Sequence, residues 1–387
     1  MIAAPADARH ARFRLAIDDA RLSHVLSRLS GAIWPIVPDS PPGHDGVDPA
    51  LVRQFVDHVT GKDYDWRVQE AAVNALPSFV ADIDGYQIQF LHVAGSGSRP
   101  RPLLLCHGWP GGMFEFVDVA ERLAHPERFG GAIEDAWTLM IPTLPGYGLS
   151  SPPIRPIGPR SIARLFDRLM REELGYESYV AQGGDWGSVV ASWLAHDSPA
   201  CRAVHLNFHL GWAMGHERPG TPEELAAGER NAAFMASEGA YIGLQSTKPL
   251  TLSYAMGDSP LGAAAWIIEK FANWSDLRGA PLWEHFDRDR LATLVMTYLL
   301  TDAFGTASWL YRGLLGAGER PDPDARVGKP TGIAVYPREI GGWPRTMVER
   351  RYDVVHWSEQ PRGGHFAAFE QPALFADDLI AFGRAIG

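Results

Sequence analysis

A chain of 387 residues, 46% hydrophobic and 21% charged, is long enough to bury one large core with an insertion in it. With 35 basic against 46 acidic residues the net charge is −11, which argues against a nucleic-acid-binding protein or one that coats an anionic membrane. There is no run of about 18 uncharged apolar residues, and the opening MIAAPADARHARFRLAIDD lacks the apolar segment of a signal peptide. A cytoplasmic protein without a membrane anchor is therefore expected. Cys106 and Cys201 sit far apart in apolar runs and are expected to be buried free thiols. Only Lys62, Lys248, Lys270 and Lys329 are lysines, an arginine bias that points to a GC-rich bacterial source.

Taken in chain order, the first 75 residues or so read as helical. Asp18 and Asp19 precede Ala20, Leu22, Val25, Leu26, Leu29 and Ile33, whose spacing gives one apolar face. After an irregular Pro/Gly/Asp-rich stretch from Pro35 to Asp48, the Asp48-Pro49 pair caps a second short helix carrying Leu51, Phe55, Val56 and Val59. Phe79-Val80 and Ile88 to Leu91 then flank Asp84-Gly85, a hairpin signal. Short apolar runs follow at Leu103 to Cys106, Leu139 to Ile141, Tyr179 to Ala181 and Val204 to Asn207. A helical stripe of Ile162, Leu165, Phe166, Leu169 and Met170, stopped by Gly175, lies between the second and third. This alternation predicts an α/β fold, a mostly parallel sheet with helices on both faces. The rhythm breaks from about residue 211 to 327, an aromatic, helix-like block with Trp212, Trp266, Trp274, Trp283 and Trp309. It returns at Gly332 to Tyr336 and Val354 to Trp357, and closes with an amphipathic helix from about Pro372 to Ile386. The expected organisation is an N-terminal meander over 1–78, a core over 79–210, a helical lid over 211–327 and the rest of the core over 328–387. Open α/β sheets place their sites at the strands' C-terminal edge, beneath such a lid.

The sharpest feature is Tyr179-Val-Ala-Gln-Gly-Gly-Asp185-Trp-Gly187, which fits G-x-Nu-x-G at a strand-to-helix junction, with Gly183 and Gly187 flanking Asp185. Serine there would imply esterase chemistry; a carboxylate suits attack on a saturated carbon bearing a leaving group. Aspartate side chains, with an ordinary pKa of about 3.9, need no base to activate them. The resulting alkyl ester must be hydrolysed, which calls for a histidine base, an orienting acid and oxyanion donors. In this fold the order along the chain is nucleophile, acid, histidine. His365, in Gly363-Gly-His-Phe366 after the last strand, is the candidate base, while His356 inside that strand reads as structural. Glu339 follows the preceding strand, and the alternative position near Asn207 holds no carboxylate. For the oxyanion, Leu105-Cys-His107-Gly-Trp109-Pro-Gly111 follows an earlier strand, so the backbone N–H groups of Trp109 and Trp186 are expected to converge on the ester oxygen. His107, Gly108 and Pro110 shape that turn.

These residues resemble the epoxide hydrolases of the α/β-hydrolase superfamily, in particular the microsomal and juvenile-hormone branch, over nearly the whole chain. Asp65-Trp66-Arg67, Glu70 and Asn74-Ala-Leu-Pro77 resemble that branch's N-terminal meander. His107 to Gly111 and Gly363-Gly-His-Phe-Ala-Ala-Phe-Glu370 match its motifs. The resemblance implies two lid tyrosines that hydrogen-bond the oxirane oxygen, falling on Tyr241 in Ala240 to Pro249 and on Tyr311 in Trp309-Leu-Tyr-Arg312. An alkoxide is a poor leaving group, so phenol donors that strengthen as charge develops give selective transition-state stabilisation. The resemblance implies a small epoxide substrate, apolar or aromatic in view of the lid, a vicinal diol product, and no metal or organic cofactor. A homodimer is compatible with the sequence but not required by it. The anchor helix of the membrane-bound members of that branch is not expected here. A haloalkane or haloacid dehalogenase shares the aspartate and histidine but binds halide with tryptophan N–H groups, and the tyrosine pair favours the epoxide. A ligand receptor on the same scaffold would be expected to have a damaged triad.

Overall fold

A computed structural model describes residues 10–209, 218–322 and 324–387. The N-terminal segment carries three capped helices. Helices α1 (Asp19–Ser30) and α2 (Pro49–Thr60) start where Asp18 and Asp48 accept the backbone N–H groups of Arg21 and Ala50. The apolar face of α1 buries Val25 and Leu29, but the helix ends at Gly31, so Ile33, expected on that face, stands 94% exposed beyond it. Helix α3 (Trp66–Ala75) explains the polar residues that drew attention in the sequence. Asn74 pairs with both the N–H and the C=O of Leu15 at 2.7 and 2.8 Å, Glu70 accepts Ile17 N–H at 2.7 Å, and Arg67 donates to Ile17 C=O at 2.7 Å. Side chains thus satisfy a passing extended segment that has no neighbouring strand along that stretch.

Among the described residues, nine strands form one sheet. They are β1 (Ala11–Arg12), β2 (Ser78–Ile83), β3 (Tyr86–Val93), β4 (Arg101–Cys106), β5 (Trp137–Pro142), β6 (Tyr179–Gly183), β7 (Cys201–Leu206), β8 (Val327–Val335) and β9 (Tyr352–Glu359), in spatial order β1-β2-β3-β5-β4-β6-β7-β8-β9. The β2–β3 hairpin turns on Asp84 and Gly85, both at positive φ, and the first three strands are antiparallel. From β5 through β9 every pair is parallel. The two-residue β1 carries no alternation a sequence could reveal. Strand β8 begins five residues before the apolar run, because Val327 pairs with Tyr352 through backbone although Lys329-Pro330 interrupts the side-chain pattern. Strands β5 and β6 are buried along their whole length, α4 (Val117–Ala124) packs on β5, and α5 (Pro159–Arg168) and α6 (Asp185–Asp197) pack side by side, with α6 against β6. Cys106 and Cys201 are buried and free.

Register aligns the strand tips. Cys106 stands beside Gly183, Gly183 beside Leu206, and Leu206 beside Ile333, so the segments that leave β4, β6, β7 and β8 emerge on one edge. Between β7 and β8 the described residues are helical, from Pro222–Glu238 to Trp309–Gly313. The N-terminal helical segment grips this block: Arg21 donates to Leu299 and Leu300 carbonyls, the Trp283 indole donates to Leu51 C=O at 3.1 Å, and the Tyr64 hydroxyl meets Thr293 at 3.1 Å. Trp266, Trp274, Trp283 and Trp309 lie in it; Trp212 falls outside the described residues. No described helix is long and apolar enough to cross a membrane.

Candidate active site

Strand β6 enters helix α6 through Gly183, Gly184 and Asp185. A side chain on Gly183 would run into the Gly187 backbone, and one on Gly187 into the Cys106 carbonyl, so the turn exists only because both are glycine. Asp185 itself sits at φ +45, a left-handed conformation that costs a non-glycine residue on the order of 1–3 kcal/mol. That turn lifts its carboxylate above the sheet edge.

Two groups meet this carboxylate, and a third stands behind one of them. The Trp109 N–H donates to Oδ1 at 2.7 Å, His365 Nε2 lies 3.5 Å from Oδ2, and His365 Nδ1 is 2.6 Å from Glu339 Oε1. Glu339 Oε1 also accepts the Ile340 N–H at 2.8 Å, whereas its Oε2 is buried without a partner. Burial alone would pull the His365 imidazole pKa down. The Glu339 and Asp185 carboxylates outweigh it and raise the pKa well above the usual histidine value. Gly108 can only be glycine, because a side chain there would overlap the Asp185 carboxylate. His107 props the turn from within: Leu144 N–H donates to Nε2 at 3.0 Å, and Nδ1–H donates to Gly108 C=O at 3.0 Å. Burial drops its pKa to about 4, so it is a neutral structural link. Pro110 follows Trp109 across a cis bond. Trp186 opens the first turn of α6.

The loop carrying His365 is tied to the helical block. The His365 N–H donates to Trp274 C=O at 2.9 Å, and Asp276 accepts the Gly363 N–H at 2.9 Å. The buried Glu370 carboxylate accepts N–H groups from Gly364, Phe366 and Asp276. Tyr241, on Ala240–Thr247, stacks on the Trp109 indole at 5.2 Å, and Tyr311, on Trp309–Gly313, stands edge-on to Trp186 at 4.8 Å. The two phenol rings are 5.8 Å apart and both are buried, with Tyr311 Oη unpartnered. Burial first, and the Asp185 charge after it, raise the Tyr241 pKa, so this phenol stays protonated and able to donate. His356 points elsewhere, to Asp378 at 2.9 Å.

The structure therefore brings together Asp185, His365, Glu339, Trp109, Trp186, Tyr241 and Tyr311. Reading the sequence had left Glu370, Asp276 and Glu115 without a role. Glu370 was visible as the last residue of the Gly363–Glu370 motif, four after Phe366; Asp276 carried no sequence signal.

A strand-turn-helix elbow on a mostly parallel sheet, with the histidine on a loop beyond the last strand, defines an α/β hydrolase whose nucleophile position holds aspartate. Residues 101–217 match the family model described as alpha/beta hydrolase fold, and residues 10–116 match the one described as epoxide hydrolase N terminus. The chain is 35% identical to epoxide hydrolase 1 of Sus scrofa over 349 residues, 82% of this chain and 76% of that one. It is 30% identical to juvenile hormone epoxide hydrolase 2 of Ctenocephalides felis over 405 residues, covering 95% and 84%. The solved structure of Aspergillus niger epoxide hydrolase superposes with a TM-score of 0.84 at 29% identity, covering 100% of this chain and 99% of that one. The chain belongs to the epoxide hydrolase family, enzymes that open an epoxide with water.

Proposed function

We propose that this chain converts an apolar or aromatic epoxide to a vicinal diol in two steps, with Asp185 as the nucleophile. Asp185 Oδ2 attacks an oxirane carbon, the ring C–O bond breaks, and the electron pair left on oxygen is stabilised and protonated by Tyr241 and Tyr311. His365, oriented by Glu339, then takes a proton from water, which adds to the ester carbonyl carbon. The oxyanion forms at Oδ1, held by the N–H groups of Trp109 and Trp186. Its collapse expels the diol oxygen, which takes the proton from His365; the carboxyl left behind releases the second water proton, which restores the phenol through solvent, and the carboxylate is regenerated. The observation that carries this reading is the division of labour on one carboxylate: Oδ1 already occupies a backbone N–H while Oδ2 faces the imidazole. The aromatic surround of Trp109, Trp186 and Trp274 supports an apolar or aromatic substrate.

We read 1–78 as a meander, 79–210 and 328–387 as the two parts of one core, and 211–327 as a lid. The support is that both phenols stand on the inserted helices while the triad stands on loops of the sheet edge. In the test, Asp185→Asn abolishes diol formation from the first turnover. His365→Gln still alkylates and gains the mass of the substrate. If His365→Gln shows no adduct with an epoxide that wild type hydrolyses, the two-step scheme fails. Halide release from haloalkanes or haloacids, which the dehalogenase reading requires, is expected to be absent.

A further inference from the structure

A small cavity lies against the Asp185 carboxylate, lined by Gly108, Gly111, Glu115, Asp185, His365 and Phe375 among others. Neither Tyr241 nor Tyr311 belongs to its lining. The nucleophile thus has a phenol side, where an oxirane oxygen is held, and a second side on which the imidazole shares a cavity with His107, Asn207 and Glu115; both ring nitrogens of His107 are tied to Gly108 and Leu144, and Asn207 Oδ1 accepts from the Gln182 amide at 2.8 Å. Glu115 is fixed by the turn it starts: the Gly112 N–H donates to Oε1 at 2.9 Å. The carboxyl fills the place a side chain on Gly111 would take, which is why that residue is glycine. No hydrogen bond from the described residues reaches Oε2.

We propose that this second compartment holds the hydrolytic water, and that Glu115 holds it there by a hydrogen bond from Oε2 while His365 Nε2 receives its proton. This rests on the Asp185–His365 reading and adds a residue to it. A water attacking the Asp185 ester carbon needs His365 on one O–H and a second anchor to fix its lone pair, and Glu115, whose Oε1 is held by Gly112 while Oε2 takes no hydrogen bond from the described residues, is placed to supply one. Burial is the largest influence on Glu115 and lifts its pKa to about 8, against the Gly112 N–H and the His365 imidazole. A neutral carboxyl can donate to the water without adding negative charge beside the oxyanion.

The experiment is single-turnover kinetics of alkylation and of ester hydrolysis, followed by intact mass, on Glu115→Ala, Glu115→Asp and Glu115→Gln. In Ala and in Asp, which withdraws the carboxyl by one methylene, hydrolysis should slow at least about tenfold with alkylation unchanged. The alkyl-enzyme then accumulates, and kcat and KM fall together at constant kcat/KM. Glu115→Gln, which keeps both the Gly112 contact and a donor toward the water, should retain most of the rate at neutral pH. The Asp and Gln variants preserve a polar anchor for the turn and decide the matter even if Ala does not fold. Unchanged hydrolysis in Asp, or a loss confined to kcat/KM, overturns the proposal. Absence of any adduct in wild type and in His365→Gln would instead overturn the ester scheme beneath it.

Discussion

At Asp185 the two carboxylate oxygens are in different surroundings, and the charge on the pair is what tunes its base. His365 lies between two carboxylates, and alkylation of Asp185 converts one of them, 3.5 Å from Nε2, into a neutral ester. Losing that charge lowers the imidazole pKa at the step that needs a neutral base. The sign follows: hydrolysis of the trapped ester should accelerate as pH rises through the His365 pKa of the ester form and then level off. Stopped single turnovers between about pH 5 and 9 measure this, and a rate that falls on going from acid to neutral would contradict it. On the opposite side, Tyr241→Phe and Tyr311→Phe should each slow alkylation by about tenfold. The double variant should lose more than about 10²-fold, beyond the product of the single losses, because one phenol can partly cover for the other. Burst-phase alkylation is the readout, and equal losses in single and double variants would remove the paired role.

Helix α3 works as an element through three polar side chains on one face, which take over the backbone bonds of residues 15–17. Truncating Asn74 to alanine orphans a partly buried N–H and C=O together, and should cost about 1–3 kcal/mol of stability. Because the same segment leads into α1, whose Arg21 binds the helical block, thermal unfolding of Asn74→Ala should show the loss with alkylation kinetics near normal. A wild-type melting curve would show that α3 contributes nothing there. The helix was foreseeable as a helix, and its residues were recognisable as a motif. What they bind was not, since Leu15 and Asn74 are 59 positions apart in the chain.

Across the whole molecule, the last helix, Pro372–Ile386, closes the fold behind the sheet. Its Asp378 is buried and meets His205 of β7 at 2.8 Å and His356 of β9 at 2.9 Å. Burial pushes the Asp378 pKa up, but the hydrogen bonds from the two histidines outweigh it and hold the group well below the usual carboxylate range. A depressed carboxylate stabilises fully above its unfolded value of about 3.9 and loses that contribution as pH falls through the folded value. Asp378→Ala, leaving the buried His205 and the half-buried His356 imidazoles without this acceptor, should cost on the order of 1–3 kcal/mol near neutrality. The difference from wild type should shrink below about pH 4. Melting at pH 7 and pH 3 tests both, and a gap that stays constant would assign the loss to packing alone.

The sequence by itself determined the α/β rhythm, the Asp84-Gly85 hairpin, the glycine elbow around Asp185 and the final helix. Each of these is written in local periodicity or in residues that a turn's φ demands. Tertiary structure decided the rest. Which acid faces His365, which N–H meets Oδ1 and how Tyr241 and Tyr311 come within one ring contact all depend on strand register and on the helical block folding back over it. The two-residue β1, the true end of α1 before Ile33 and the cavity beside Glu115 were invisible for the same reason: contacts between residues far apart along the chain leave no period behind.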